Sequence, residues 1–500
     1  MRRTTIGLAC VSVLLLAAKP AAGSLTHGAG LAGIYDAILA ARFEDAERQL
    51  RAACPPAPEE ACLTLRAVSL WWQILMDPEN RRLDAAIEQA SAAALEAARA
   101  WTGREPRRAE AWFYLAAAEA PLVQWHVLRG QSVSAARAGS RARSALERAL
   151  ALDPTLHDAH FGIGVYRYYA DVAPAAFRML RWLLLLPGGN RREGLQQMLT
   201  AREHGQLLTG EADFQLHWIY LRYEQDPRRA LELLRGLDAR YPSNPLFLKR
   251  IAEVERGYVR DHPASAASWQ RLVDRARSGQ VAVAPIAEVN ARLGLALELD
   301  AMFETDRAID EIATALKVPL AAPHGARARA HLQLARAYDR LGHRALAVTE
   351  YHALERHATA DTYGRTWRDR AREGLRLTPD PRVAEAYRLS IEGLRALEDG
   401  SNREAVTRLA RSVLLNPIDP VARYRYARAL EASGDQAGAA KHLGELVAIE
   451  STVPAVIRSS VLVAYAVIRE RAGDRAQALD TLPARARCHG WRAALARMAP

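Results

Sequence analysis

The chain has 500 residues, half of them apolar and a quarter charged, which is enough apolar content to bury a core and too much for intrinsic disorder. Its 68 lysines and arginines outnumber its 57 aspartates and glutamates for a net charge of +11, yet only Lys19, Lys249, Lys317 and Lys441 are lysines, and the arginines lie among acids along the whole chain. These proportions exclude a collagen, a multi-span membrane protein and a cysteine-rich miniprotein, and the even scatter of charge argues against nucleic-acid binding, which wants basic residues clustered with aromatics.

Residues 1–23 follow the order of a secretory signal. Arg2 and Arg3 come first, then the 13-residue apolar run Ile6 to Ala18, then Ala21-Ala22-Gly23 before Ser24. The run falls short of the roughly 20 residues that a spanning helix needs, so export is expected, to the periplasm or to the exterior. Without the three basic residues of the leader the net charge is about +8. Cys10 lies near the start of the apolar run, whereas a lipidated cysteine follows such a run. Beyond the leader, Cys54 and Cys62 bracket Pro55-Pro56-Ala57-Pro58. In an oxidising compartment such a pair staples two helix ends across a turn, and its spacing fits neither redox nor zinc motifs. Cys488 is left over.

Helical periodicity dominates from residue 30 to 495, with glycine and proline between amphipathic stretches and no alternating β pattern. Trp112, Leu115 and Ala116 open one unit that closes on Leu146, Ala149 and Pro154. His157 and His160, with Asp158 between, have helical metal-ligand spacing but no third ligand, and read as surface residues. Gly162 and Gly164 read as a helix-packing pair. Tyr166, Tyr168 and Tyr169 follow. The run Phe177-Arg-Met-Leu-Arg-Trp182-Leu-Leu-Leu-Leu186 is the most apolar of the mature chain. It reads either as an inserted core helix near 174–187 or as an interfacial helix presenting Phe177, Leu180, Trp182 and Leu184 to a membrane, with Arg178 and Arg181 on another face. Further units run Phe214, Ala230, Leu234, Leu237, Pro242; then Leu293-Gly294, Leu297, Ala308, Ile312, Ala315; then Leu334-Ala335, Tyr338, Gly342, Ala347, Tyr351, Leu354; then Gly393, Ala396, Ala405, Leu409, Pro417; and Tyr426-Ala427, Leu430, Gly434, Ala439, Leu443, Leu446.

This pattern suits two antiparallel helices with small residues at their closest approach and a large residue filling the gap. One such hairpin cannot cover its own apolar face, so neighbours must stack. The units resemble the tetratricopeptide repeat over most of residues 30–485. The block Gly162-x-Gly164-x-Tyr166, the apolar linker ending in Leu186-Pro187, and Gly189-Asn190-Arg191-x-x-Gly194-Leu195 resemble a signature of the fungal inclusion-body-clearance protein and its animal relatives. The resemblance implies an all-α, right-handed superhelical solenoid of about nine or ten helical hairpins, divided as 1–23 leader, 24–260 with an insertion at 170–195, and 261–500.

No HExxH, GxSxG or P-loop occurs, and no catalytic arrangement of serine, histidine and aspartate is evident, so neither an enzyme nor a bound metal or cofactor is expected. The expected role is a scaffold that docks an unidentified protein or peptide in its concave face. The alternative is a membrane- or lipid-associated envelope-assembly factor using 174–187. The repeat resemblance places Arg336 and Arg428 toward the concave face and Arg425 beside it, with Tyr168 and Tyr223 as the next aromatic candidates. The lysine–asparagine clamp of chaperone-binding members is not visible.

Overall fold

A computed structural model describes residues 25–172, 188–318, 323–358 and 362–481. The leader, the run containing Phe177, Leu180, Trp182 and Leu184, and Cys488 lie outside the described residues. Those described form 23 α-helices: α1 Gly28–Leu39, α2 Phe43–Ala53, α3 Glu59–Met76, α4 Asp84–Arg104, α5 Ala109–Leu128, α6 Ser132–Leu152, α7 His157–Val172, α8 Arg191–His204, α9 Thr209–Arg222, α10 Pro227–Arg240, α11 Pro245–Val254, α12 His262–Arg277, α13 Ala284–Ala301, α14 Thr305–Lys317, α15 Ala326–Arg340, α16 Arg344–His357, α17 Thr362–Arg376, α18 Pro381–Glu398, α19 Asn402–Leu415, α20 Pro420–Ala432, α21 Gln436–Ala448, α22 Ala455–Arg471 and α23 Arg475–Thr481. A π-turn, Glu255–Val259, extends α11. No strand occurs among the described residues. No helix among them is long and apolar enough to cross a membrane.

One stop signal turns the chain inside the hairpins. A residue with left-handed φ follows the first helix, and the next amide reaches back five or six residues to a helix carbonyl. Ala41, Gly130, Gln225, Arg260, Phe303, Gly342, Gly400, Gly434 and Gly473 take this place. The His343 amide thus donates to the Tyr338 carbonyl and the Ser401 amide to that of Ala396, both at 2.8 Å. This closure satisfies carbonyls that the helix leaves open, and glycine takes it without a Cβ clash. Helix starts are equally legible. Asp226, Asn244, Asp380 and Asp419 accept amides of the first turn through their side chains, each followed by proline at the first helical position, where the missing N–H costs nothing.

The chain divides into two compact units. One runs to Gln73 and resumes from Arg82 to Leu216; the other takes Ile74–Arg81 and the chain from His217 onward. The boundary expected at 260/261 lies within the second of these units. Across it the Ser265 hydroxyl donates to the Ala252 carbonyl at 2.9 Å and the Ser268 hydroxyl to Glu255 at 2.7 Å, tying α12 to the helix before it.

In the second unit the repeat pattern does the packing expected of it. Leu293, Ala296, Ala308, Ile312 and Ala315 share a core with Ala326, Ala330 and Leu334 of the next hairpin. Leu430, Ala439, Leu443 and Leu446 do so with Val461 and Tyr465. The small position is set by contact. A Cβ on Gly393 would lie 2.4 Å from Leu409, and one on Gly294 2.4 Å from the Trp269 ring. In the first unit Trp72 packs on Phe214 with centroids 4.9 Å apart, and Trp101 on Tyr114 at 6.1 Å. There Gly164 and Gly194 let α7 and α8 touch backbone to backbone, the packing role read for Gly164 from sequence. These stacked hairpins are a tetratricopeptide-like all-α repeat array.

Candidate interaction surface

The five candidate partner residues have different fates. Arg336 lies exposed on α15 and makes no ion pair or hydrogen bond with a described residue. Arg428 is half-exposed and held on its own helix, with Nε 3.3 Å from Glu431 and Nη1 donating to the Tyr424 hydroxyl at 3.4 Å. Arg425 departs from expectation, being only 6 % exposed. Its Nη1 donates to the Ser390 hydroxyl at 3.0 Å and its Nη2 to the Phe303 carbonyl at 2.7 Å. The cause is the turn between α13 and α14, which folds against α18 and α20. The Thr305 hydroxyl lies 2.8 Å from that of Tyr387, and Arg395 pairs with Asp306 at 2.7 Å. Burial pushes the Arg425 guanidinium below its usual pKa. Tyr168 also departs: it is 0 % exposed, because α8 closes over it at Gly194, whose Cβ would meet the Tyr168 amide at 2.7 Å. Neither residue is available to a partner.

Tyr223 stands at the edge of a surface pocket in the second unit. Leu221, Arg222 and Tyr223 from the end of α9, Gln225 and Pro227 from the following turn, and Tyr258 from the π-turn enclose about 520 Å³. Trp218, one turn earlier, is 39 % exposed and Tyr258 is 42 % exposed. The Arg222 guanidinium lies 5.4 Å from the Trp218 ring centre, and its Nη1 donates to the Tyr258 hydroxyl at 3.4 Å. That contact raises the Arg222 pKa. Gln225 and Arg260 both hold positive φ, which non-glycine side chains adopt at a cost of about 1–2 kcal/mol.

Two buried carboxylates hold the π-turn. Glu255 accepts from Arg235 Nη2 at 3.1 Å and from the Ser268 hydroxyl at 2.7 Å. Glu298, fully buried, faces His262 Nδ1 at 2.7 Å and Arg256 Nε at 3.5 Å. A π-turn adds one residue to a helical turn and is frequent at functional sites. Here it lifts Tyr258 and Val259 to the surface while Glu255 remains in the core. The sequence pointed to Tyr223 and not to Arg222, Trp218 or Tyr258 beside it, because no local pattern announces a one-residue insertion.

In the first unit, Asp158 is a buried cap and the histidines beside it hold no metal-like cluster. Its carboxylate accepts the amides of Gln206, Leu207 and Leu208 at 2.8, 2.9 and 2.9 Å. His160 Nε2 sits 3.1 Å from the Pro154 carbonyl. Glu211, buried, accepts from the Tyr35 hydroxyl at 2.9 Å and from Gln215 at 3.0 Å, and desolvation raises its pKa. No group of three metal-ligating side chains occurs among the described residues. The sulfurs of Cys54 and Cys62 are in contact, with Cα atoms 6.5 Å apart.

No family model matches the chain, and no curated protein does. Among solved structures it is similar to a tetratricopeptide repeat protein from Parabacteroides merdae, with 15 % identity over 55 % of this chain and 90 % of that one and a TM-score of 0.26. It is similar to the P58(IPK) TPR domain, with 14 % identity, 83 % and 93 % coverage and a TM-score of 0.23. For the APC/C Cut9–Hcn1 hetero-tetramer the figures are 12 %, 95 %, 96 % and 0.23. Likeness at this level carries no functional argument, and the repeat fold rests on the hairpins themselves.

Proposed function

We propose that the chain is an exported, non-catalytic helical-repeat scaffold that holds a protein partner in the cell envelope. The observation that supports it best is Arg336. It stands exposed on the first helix of its hairpin without an ion pair to an acid among the described residues, whereas Arg340 and Arg344 near it pair with Asp300 and Asp339. An arginine so placed offers a rigid two-pronged donor to a partner carboxylate. In a pull-down from envelope extract, Arg336→Ala combined with Arg428→Ala is expected to weaken capture by about 1–3 kcal/mol. Most of the loss falls on Arg336, since Glu431 already holds Arg428. The melting temperature stays unchanged because neither side chain is in the core. Undiminished capture would remove this face from the site.

Export is supported by the leader, whose charged, apolar and small residues follow one another in signal-peptide order. Intact-mass measurement on envelope-fractionated protein is expected to place the mature N-terminus at or near Ser24. An oxidising compartment then closes Cys54 to Cys62, stabilising the first unit by about 2–3 kcal/mol through its short loop. Non-reducing digestion is expected to release the two cysteine peptides as one linked pair, and two readily alkylated thiols in exported protein would reject the bond.

A further inference from the structure

We propose that the pocket formed by the end of α9, the turn before α10 and the π-turn binds a carboxylate-bearing peptide segment of a partner protein. Arg222 is its anion anchor, and Tyr223 and Tyr258 are its walls. This site rests on the scaffold reading and gives it a second, separately testable contact.

Charge sets the chemistry. Several arginines of the second unit are taken up by acids: Arg235 by Glu255, Arg275 by Asp238, Arg395 by Asp306. Arg222 is not. A guanidinium carries five N–H donors, and this one uses a single long bond, to Tyr258. The acids flanking the pocket in sequence make bonds to their own segments. Asp226 accepts the Arg229 amide at 3.0 Å and Asp261 the Ala264 amide at 2.9 Å, both as helix caps; Glu224 also has a partner within the protein. Arg228 and Arg260, exposed on either side, make no ion pair with a described residue. Arg222 is therefore a guanidinium at the pocket without a carboxylate partner among the described residues, beside flanking charges of both signs. Exposed aromatic rings alone would also suit a cation, but Arg222 already lies over the Trp218 face, so a second positive charge is repelled.

Shape and rigidity set the size of the ligand. The depression, about 520 Å³ and open to solvent, admits side chains of a bound segment from the surface. The tyrosine rings present apolar faces to a neighbouring side chain while the guanidinium forks onto a carboxylate. Glu255 and Glu298 hold the π-turn from inside the core, so Tyr258 meets a ligand already positioned, which reduces the ordering cost of binding. A single-stranded nucleic acid would need a track of cations along its backbone. Here Asp226, Asp261 and Glu224 interrupt any such track.

A random heptapeptide library displayed on phage, selected on the full chain and on its Arg222→Glu variant, tests the site. Arg222 is exposed, so the variant is expected to melt with the unchanged protein. Peptides selected on the wild-type chain are expected to be enriched at least threefold over the input in aspartate and glutamate, commonly beside an aromatic residue. A synthetic peptide from that pool should bind at least about tenfold more weakly to Arg222→Glu and to Tyr258→Ala, as it should when its own acids become glutamine or asparagine. If both proteins select the same acidic peptides, the pocket is overturned while the scaffold reading stands. A selected pool without excess acid also overturns it. If neither protein enriches any peptide, the pocket is overturned, while the scaffold reading stands or falls on the envelope pull-down. Arg222-dependent binding of an oligothymidylate with no peptide selected would assign the pocket to nucleic acid and overturn the proposal.

Discussion

Asp158→Ala is expected to destabilise the first unit by about 3–5 kcal/mol, the loss that follows when one partner of a buried charged network is removed. The Asp158 side chain is 1 % exposed and holds three successive amides ahead of α9. Alanine leaves those amides facing protein, with no carboxylate to accept them. Asp158→Asn retains one carbonyl acceptor and should lose about half as much. Urea unfolding reads the global effect. Hydrogen exchange at Gln206, Leu207 and Leu208 reads the local one, which should speed up in Asp158→Ala well before the helices of the second unit change. A loss below about 1 kcal/mol with those amides still protected would show that the cap is redundant.

Gly164→Val is the second large effect, and it acts by volume. A Cβ at residue 164 would sit 2.6 Å from the Gly194 carbonyl oxygen and 2.9 Å from the Met198 side chain. The first of these is backbone, so no rotamer change relieves it. The helices α7 and α8 must separate, exposing Tyr168 and Met198, both at 0 % exposure. The expected cost is about 3–5 kcal/mol from overpacking and lost burial together. Gly162→Val at the neighbouring glycine is the control. There the obstacle is the end of the Leu146 side chain at 2.5 Å, which can rotate, so a loss of about 1–2 kcal/mol is expected. Equal melting temperatures for the two variants would mean that α7 and α8 do not pack as described.

Much of the fold is readable from neighbouring residues. The units from Leu293, Gly393 and Tyr426 assign small and large residues to helix crossings, and the structure puts Gly393 against Leu409 and Leu443 among Ala427 and Leu430. Nine of the described hairpins turn on a left-handed stop. Five of these stops are glycines, which a reader of the sequence can see. Ala41, Gln225, Arg260 and Phe303 adopt the same conformation against their preference and give no such warning.

Local sequence determined the helical hairpin, its caps, its glycine stops and its small-residue crossings, because each depends on residues within one or two helical turns or on the next helix along. Only tertiary structure decided which surface groups remain for a partner. Arg336 and Arg425 both belong to first helices and read alike in sequence, but a turn 122 residues before Arg425 supplies the Phe303 carbonyl that takes it up, while no described residue bonds Arg336 in that way. Likewise Arg222 and Tyr258 are 36 residues apart and meet because one extra residue in a helical turn points a tyrosine outward. A side chain's burial is the sum of everything that folds against it, including distant segments, and a repeat pattern records only its near neighbours.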